Sequence, residues 1–319
     1  MKFIQQAYKG NNEWWAYVVT IIILFFGWQL ISTIPLIGVA LYYADDMSEF
    51  MNAANDNFTS LGINSNLYLF LILLTFLGGL ISLFFGIKQI HKRKIVTLIT
   101  SRDKVDWSRF FYAFSLWAFI GIVMIGIGYF MSPEDYVWNF KPLQFTILVI
   151  ISFLFLPIQT SMEELLFRGY LMQGFGTWFK KSFVALILTS VIFGLLHGLN
   201  PEVEKLGWIS MVYYIGTGLV LGIFTLMDEG TELALGFHAA NNIVAAVLVT
   251  ANWTVFQTDA LLIDMSEPSV GFEMFFPVLV LYPMVLVIFS NKYGWTNWQE
   301  KLMGTVRKPI ELDENKFIA

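Results

Sequence analysis

The sequence predicts an all-α polytopic membrane protein with about eight transmembrane helices. The chain of 319 residues is 57% hydrophobic and 17% aromatic, while charged residues make up only 13%. Soluble domains usually contain about 25% charged residues. A soluble sphere could not hide so much apolar surface, so the excess must face lipid. The composition therefore excludes a cytosolic globular enzyme and a disordered chain. The absence of cysteine also excludes a disulfide-stabilised secreted domain.

Eight stretches of the sequence are long and apolar enough to cross the hydrocarbon core, which takes about 20 helical residues. They cover residues 14–42, 67–87, 110–131, a fourth from about 143 past Pro157, 182–199, 206–227, 233–253 and 272–290. The first stretch is too long for a signal peptide and lacks a cleavage site. We divide the chain into three predicted parts. They are helices 1–3 with their loops (1–142), a core of helices 4–7 (143–250), and an outer loop, the last helix and a tail (251–319).

The distribution of lysine and arginine predicts that both termini lie in the cytoplasm. With the N-terminus inside, all but two of the 19 basic residues fall in inner segments, and only Lys141 and Lys205 fall outside. We therefore expect a multi-pass protein of the cell membrane whose surroundings are lipid. The net charge of −5 is modest and no basic stripe is present, so no nucleic-acid partner is expected.

Three polar patterns fall where the sequence predicts apolar helices. The fourth helix contains Glu-Glu-x-x-x-Arg, the fifth contains Phe-x-x-x-His, and the seventh contains His-x-x-x-Asn. An ionisable residue at membrane depth costs at least about 2.5–3.5 kcal/mol on insertion scales, so such residues indicate function by default. The residues of the three patterns are Glu163, Glu164, Arg168, Phe193, His197, His238 and Asn242. His91 lies among the basic residues of an inner loop, and we expect it to be solvated.

The two glutamates of the fourth helix are predicted to have different roles. Glu164 and Arg168 are four residues apart and share a helix face, which favours an ion pair with a structural role. Glu163 points about 100° away from Glu164 and is free for chemistry.

The residues of the fifth and seventh helices also group by helix face. Phe193 precedes His197 by one turn, so its ring is expected to pack beside the imidazole and to limit its motion. His238 and Asn242 are likewise four residues apart and project to one side of their helix. The sequence thus offers two imidazoles and an amide at membrane depth.

The distances of these residues from the nearest turns do not agree if the helices form a regular bundle. Glu163 and His197 are each 17 residues from a turn near Lys180, so an antiparallel pair places them level, about 25 Å from it. His238 lies only about 10–12 Å from the next turn, at residues 228–231. Either the hairpin of helices 4 and 5 projects into the cytoplasm, or the chain breaks at Gly169, Gly174 or Gly176. We expect the site in the inner half of the membrane.

Each pattern alone is also explained by helix packing, because a histidine or asparagine in an apolar helix often only hydrogen-bonds to a neighbour. Together they suit hydrolysis, with a carboxylate as general base, an imidazole that assists, and polar donors for an oxyanion. Equally, Glu163, His197 and His238 are residue types that hold a catalytic Zn²⁺ with an open position for water. The H-E-x-x-H pattern is absent, so such ligands would come from separate helices. No other cofactor is expected.

The three patterns, in this order, resemble the motif set of the CPBP intramembrane proteases. This family takes in the Rce1-type CAAX prenyl endopeptidases, the bacteriocin-processing and self-immunity proteins once called Abi, and lysostaphin-resistance-like proteins. The resemblance covers roughly residues 143–250. It implies intramembrane hydrolysis of a peptide bond, in which Glu163 and His197 activate water while His238 and Asn242 hold the oxyanion or complete the site. The family is described both as metalloproteases and as glutamate-dependent proteases. Its substrates include lipidated CAAX-type proteins and peptide precursors.

Two other classes of protein compete with a protease. In a non-catalytic immunity or scaffold protein of the same fold, the polar cluster would only fix helix packing. Against this, Glu163 lacks an obvious structural partner once Arg168 is assigned to Glu164. In an ion-coupled transporter, the same residues would relay protons. Against transport, the sequence shows no internal repeat and a single polar cluster rather than a path across the membrane.

Overall fold

The computed structural model describes residues 2–309; the end of the predicted tail, 310–319, lies outside the described residues. In this part of the chain we label the long apolar helices in order. They are α1 Trp14–Tyr43, α2 Ser65–Ile90, α3 Trp107–Met131, α4 Pro142–Phe179, α5 Ser182–Leu199, α6 Trp208–Asp228, α7 Glu232–Leu248 and α8 Met274–Tyr293. All except α7 are long and apolar enough to cross a membrane. The predicted all-α polytopic fold is confirmed, and the direction of its termini stays a prediction.

Large apolar side chains cover the outside of the bundle. Along α1, α3 and α4, exposed residues include Phe26, Ile31, Phe119, Phe130 and Phe153. Soluble monomers rarely expose contiguous apolar surface of this extent. These faces are therefore the lipid-facing sides of a multi-pass membrane protein.

The seventh helix is shorter than predicted and lies inside the bundle. It ends at Leu248 instead of near residue 253, because the chain there enters a small sheet. Strand β1 is Tyr136–Trp138, β2 is Val249–Thr250 and β3 is Leu262–Asp264, in the order β1-β3-β2. β3 pairs antiparallel with β1 and parallel with β2. The sheet was not predicted, because its strands are too short to show an alternation of apolar and polar residues.

Helix α7 packs against α3, α4 and α6, and most of its residues are buried. It therefore presents little surface to lipid and can carry polar side chains toward its neighbours. Two apolar clusters include residues of this helix. One joins α3, α6, α7 and α8 through residues such as Trp117 and Phe224, and the other joins α1, α2, α4 and α5 through residues such as Leu83 and Phe193. Lipid tails are as apolar as leucine, so moving an apolar side chain from lipid into the bundle provides no hydrophobic driving force. Close packing of the side chains therefore holds such a bundle together.

Helix α4 is continuous from Pro142 to Phe179 and contains a π-helical stretch at Leu165–Leu171. The break at Gly169, Gly174 or Gly176, one of the two explanations offered for the conflict in depth, is absent from this helix. Those glycines instead admit close neighbours: a Cβ at Gly169 would collide with the backbone of the segment before α3. Glu163 and His197 lie farther from their turn than His238 lies from its own. The remaining explanation is a hairpin of α4 and α5 that extends past the turn after α6.

The level of the site in the bundle follows from one contact of α4. Met162, the residue before Glu163, packs against Gly79 of α2, and Gly79 also approaches Trp28 of α1. Both partners lie near the middle of their helices. Glu163 is therefore about halfway along the bundle, and its position relative to the lipid surfaces stays a prediction.

His91 is buried, so the expectation that it is solvated was wrong. It follows α2 directly and is only 1% exposed. Its Nδ1 lies 2.7 Å from the carbonyl oxygen of Asn11 and its Nε2 lies 2.8 Å from the hydroxyl of Tyr170. The segment before α1 folds over the ring, which a charge pattern in the sequence does not reveal. Burial lowers the pKa of His91 to about 4.

Candidate active site

The structure brings the four predicted catalytic residues to one cavity. Glu163 from α4, His197 from α5, and His238 and Asn242 from α7 all line a space of about 280 Å³. A cavity of this size is slightly smaller than most small-molecule sites, which measure about 300–1,000 Å³. The three helices that the sequence analysis chose therefore converge on a single place.

One imidazole contacts both glutamates of the Glu-Glu pair. Nδ1 of His238 lies 2.8 Å from Oε1 of Glu164, and Nε2 of the same ring lies 3.6 Å from Oε2 of Glu163. A carboxylate without a proton only accepts, so Nδ1 donates to Glu164 and the tautomer of the neutral ring is set. Nε2 is then the nitrogen that faces the cavity beside Glu163. Oε2 of Glu163 has no hydrogen-bond partner.

Glu164 and Arg168 form a fully buried ion pair. Arg168 donates from one terminal nitrogen to Oε1 of Glu164 at 2.9 Å and from the other to the carbonyl oxygen of Gly218 at 3.1 Å. Gly218 lies where α6 approaches α5 so closely that a Cβ would touch the backbone of Ser190. The pair therefore joins α4 to α6 and, through His238, to α7. This is the structural position that the spacing of the two residues predicts.

Phe193 holds the second imidazole in place. Its ring centroid is 4.6 Å from that of His197, and the guanidinium of Arg168 lies 4.3 Å from the centroid of the same ring. Nδ1 of His197 lies 2.7 Å from the carbonyl oxygen of Phe193, and Tyr214 stacks on the imidazole at 4.6 Å. Because a carbonyl only accepts, Nδ1 carries hydrogen, and Nε2 of the neutral ring is free to accept a proton.

A chain of amide side chains orients Asn242. Its Nδ2 donates to Oε1 of Gln159 at 2.9 Å, and its Oδ1 accepts from Nδ2 of Asn241 at 3.2 Å. Asn241 in turn accepts from the indole of Trp117 at 3.1 Å. These contacts use one of the two hydrogens on Nδ2 of Asn242. The second hydrogen is available to a group in the cavity.

Sequence reasoning missed several polar residues of the cavity, among them Gln159, Asn241, Tyr214 and Glu202. Gln159 lies one turn before Glu163 on the same face, so its spacing was a usable signal. Asn241 is adjacent to a motif residue, although adjacency in a helix does not by itself indicate a shared site. Tyr214 and Glu202 reach the cavity from α6 and from the segment after α5. No motif marked them.

The zinc hypothesis can be compared with the donor positions. Within residues 2–309, no three histidine, aspartate or glutamate side chains are placed to hold one metal ion. The bonds of His238 to Glu164 and of His197 to a backbone carbonyl are of the kind that metal-ligating histidines also make, so they do not exclude a metal. In this arrangement the side chains of Glu163, His197 and His238 do not converge on one point, and zinc binding stays a hypothesis. We therefore derive no reaction step through a metal.

The fold and the site define a polytopic membrane protein whose polar residues converge within its core of α4–α7. Comparison with known proteins gives this core a family. Residues 142–244 match the family described as Type II CAAX prenyl endopeptidase Rce1-like. The match confirms the resemblance inferred from the motifs, and it shows that this part of the chain is similar to the Rce1-like family.

Outside the family match, one relative extends over most of the chain. Over 280 residues the chain is 27% identical to "Uncharacterized protein YyaK" of Bacillus subtilis (strain 168), which covers 85% of this chain and 90% of that relative. No solved structure matches the chain significantly.

Proposed function

We propose that this protein is an intramembrane endopeptidase that hydrolyses a peptide bond of a membrane-associated substrate. One observation carries the proposal: a carboxylate, two imidazoles and an amide from three helices line one cavity halfway along the bundle. The Rce1-like match over α4–α7 supports the same class of enzyme. The cell membrane is the proposed location.

In the proposed reaction Glu163 is the general base. A water molecule bound at the carboxylate of Glu163 gives up a proton to it while the water oxygen bonds to the carbonyl carbon of the substrate. The tetrahedral intermediate then collapses, the C–N bond breaks, and Glu163 returns the proton to the leaving nitrogen. The products are a carboxylic acid and an amine. No oxidant or further reactant is needed.

The imidazoles and the amide assist this reaction in separate ways. The free hydrogen of Asn242 would donate to the oxyanion, and the imidazolium form of His238, which carries hydrogen on both nitrogens, would donate to it from the cavity-facing Nε2. Nε2 of His197 would accept a hydrogen bond from the attacking water or from the peptide. Glu163 is close to His238, so these two residues act as a pair in the proposal.

The proposed substrates are those of the wider family. A lipidated CAAX-type protein and a membrane-associated peptide precursor both bring an extended segment to a cavity inside the bundle. Lipid surrounds the exposed faces of α1 and α3, so a substrate anchored in lipid reaches the bundle by lateral diffusion. Nucleic acid is not a proposed partner.

The test uses the full chain in proteoliposomes with a co-reconstituted peptide library and mass spectrometry of the products. The wild type should cleave peptides, and Glu163→Ala and His197→Ala should abolish cleavage while the protein still inserts and folds. The competing scaffold hypothesis predicts that neither form cleaves and that the substitutions disturb folding. Cleavage that persists in both variants would contradict the proposed roles.

A further inference from the structure

The wall of the cavity beyond the end of α5 carries a second carboxylate that the proposed reaction does not use. Glu202 belongs to the short helix Pro201–Leu206 and lines the same cavity as Glu163. Its Oε1 accepts a hydrogen bond of 2.8 Å from the backbone N–H of Val255, in the loop after β2. Its Oε2 is buried and has no hydrogen-bond partner.

No cation of the protein balances Glu202 inside this cavity. Among the described residues that line the cavity there is no lysine or arginine. The guanidinium of Arg168, buried in the core, is already bound to Glu164. Burial raises the pKa of Glu202, and the hydrogen bond from Val255 and the neighbouring His197 oppose this shift only in part. A partly buried carboxylate without a counter-charge carries a desolvation cost, so its charge favours a partner from outside.

The hydrogen bond to Val255 does not explain the charge of Glu202. That bond joins the short helix to the loop over the cavity, and it uses one oxygen as an acceptor. A glutamine in the same position would accept the same bond without the cost of a partly buried charge. The contact with Val255 therefore does not account for the carboxylate.

We propose that Glu202 forms a subsite for a cationic group of the substrate, a protonated amine or a guanidinium. The inference rests on the proposed function and adds the charge of the substrate to it. The rings of Tyr213 and Tyr214 line the same cavity. Aromatic faces attract cations, most strongly where water is excluded. The cation is either a lysine or arginine side chain near the cleaved bond or the free amino terminus of the peptide.

The experiment measures the charge preference of the full chain in proteoliposomes. The probe is a peptide library made with a glutamate-specific protease, so that lysine and arginine remain inside the peptides. Mass spectrometry counts the residue types around each cleaved bond. For the wild type, lysine and arginine should be enriched about tenfold at one position relative to the library. One arm of the library carries acetylated amino termini, which removes the terminal cation and leaves arginine unchanged.

Four variants test the residue itself. Glu202→Gln keeps the acceptor for Val255 and should reduce the enrichment to background, whereas Glu202→Asp should retain it. Glu202→Lys should replace the enrichment of basic residues with an enrichment of acidic ones. Glu204→Gln is the matched control: it removes an exposed carboxylate from the same short helix and should leave the preference as in the wild type.

The outcomes separate this inference from the proposed function. If the enrichment survives acetylation, the subsite binds a side chain. If the wild type cleaves at a constant distance from the amino terminus and acetylation abolishes this cleavage, the subsite binds the terminal amine. Cleavage by the wild type that depends on neither basic residues nor a free amino terminus, or a dependence unchanged in Glu202→Gln, overturns the inference and leaves the peptidase standing. A wild type that cleaves nothing overturns both.

Discussion

Oε2 of Glu163 lies 3.6 Å from Nε2 of His238, while Nδ1 of the same ring lies 2.8 Å from Glu164. One imidazole from α7 thus contacts two consecutive carboxylates of α4. Because Glu164 is bound to Arg168, one side of the ring is fixed by a structural pair. The other side faces the carboxylate that has no hydrogen-bond partner on Oε2. Two neighbouring residues of the same type therefore have different surroundings.

The first prediction concerns Glu163. Glu163→Gln should lower peptide cleavage by about 10²–10⁴-fold, because an amide cannot take a proton from water. Thermal unfolding in detergent, followed by tryptophan fluorescence, should change little, because no hydrogen bond to Oε2 is lost. A variant that retains at least a tenth of wild-type cleavage would contradict the general-base role.

The second prediction concerns its neighbour. Glu164→Gln leaves the buried guanidinium of Arg168 without a counter-charge and should destabilise the fold by about 3 kcal/mol. The same unfolding measurement checks this, with Glu163→Gln as the matched control. Equal unfolding temperatures for the two variants would show that the Glu164–Arg168 pair does not support the fold.

The third prediction concerns the orientation of Asn242. Gln159→Leu removes the acceptor for Nδ2 of Asn242, so the amide can rotate away from the proposed oxyanion. We expect kcat to fall by roughly tenfold or more with little change in KM, because the contact acts in the transition state. Gln159→Glu, which keeps an acceptor oxygen, should recover part of the loss. A loss confined to KM would place Gln159 in substrate binding instead.

The fourth prediction concerns pH and His91. Burial lowers the pKa of this ring from 6.5 to about 4 in the folded protein. Below pH 6.5 the unfolded chain therefore binds a proton that the folded chain does not, and stability falls as the pH decreases from 6.5 toward 4. Below the folded pKa the loss from this group is complete.

Unfolding temperatures measured between pH 7.5 and 4 check the effect of His91. His91→Gln removes the titrating imidazole. The carboxylates of the protein titrate equally in the wild type and in the variant. The difference between wild type and variant should therefore decrease as the pH falls. A difference that is constant over this range would show that the ring is not neutral in the folded state.

The fifth prediction concerns metal removal. Glu163, His197 and His238 are not placed to hold one ion, so cleavage should persist after dialysis against a chelator. Inductively coupled plasma mass spectrometry of the same sample verifies that divalent metals were removed. Loss of activity that Zn²⁺ restores would show that these side chains rearrange around a metal.

Much of the site was predictable because helix spacing decides which side chains share a face. The spacing of Glu164 and Arg168 predicted a pair, and it left Glu163 free. The spacing could not show that His238 would lie between the two glutamates, because the rotation and depth of α7 relative to α4 depend on packing. Tyr214 and Glu202 were missed for the same reason, since they reach the cavity through contacts between segments far apart in sequence.

The sequence by itself determined the membrane class, the positions of the apolar helices and the three helices that carry polar residues. These features depend on composition and on local periodicity, which any segment carries without its neighbours. The tertiary structure decided that His91 is buried, that α7 ends early inside the bundle, and that Glu202 faces the cavity without a counter-charge. Each of these results from contacts between distant segments, and only the folded packing of the chain brings such segments together.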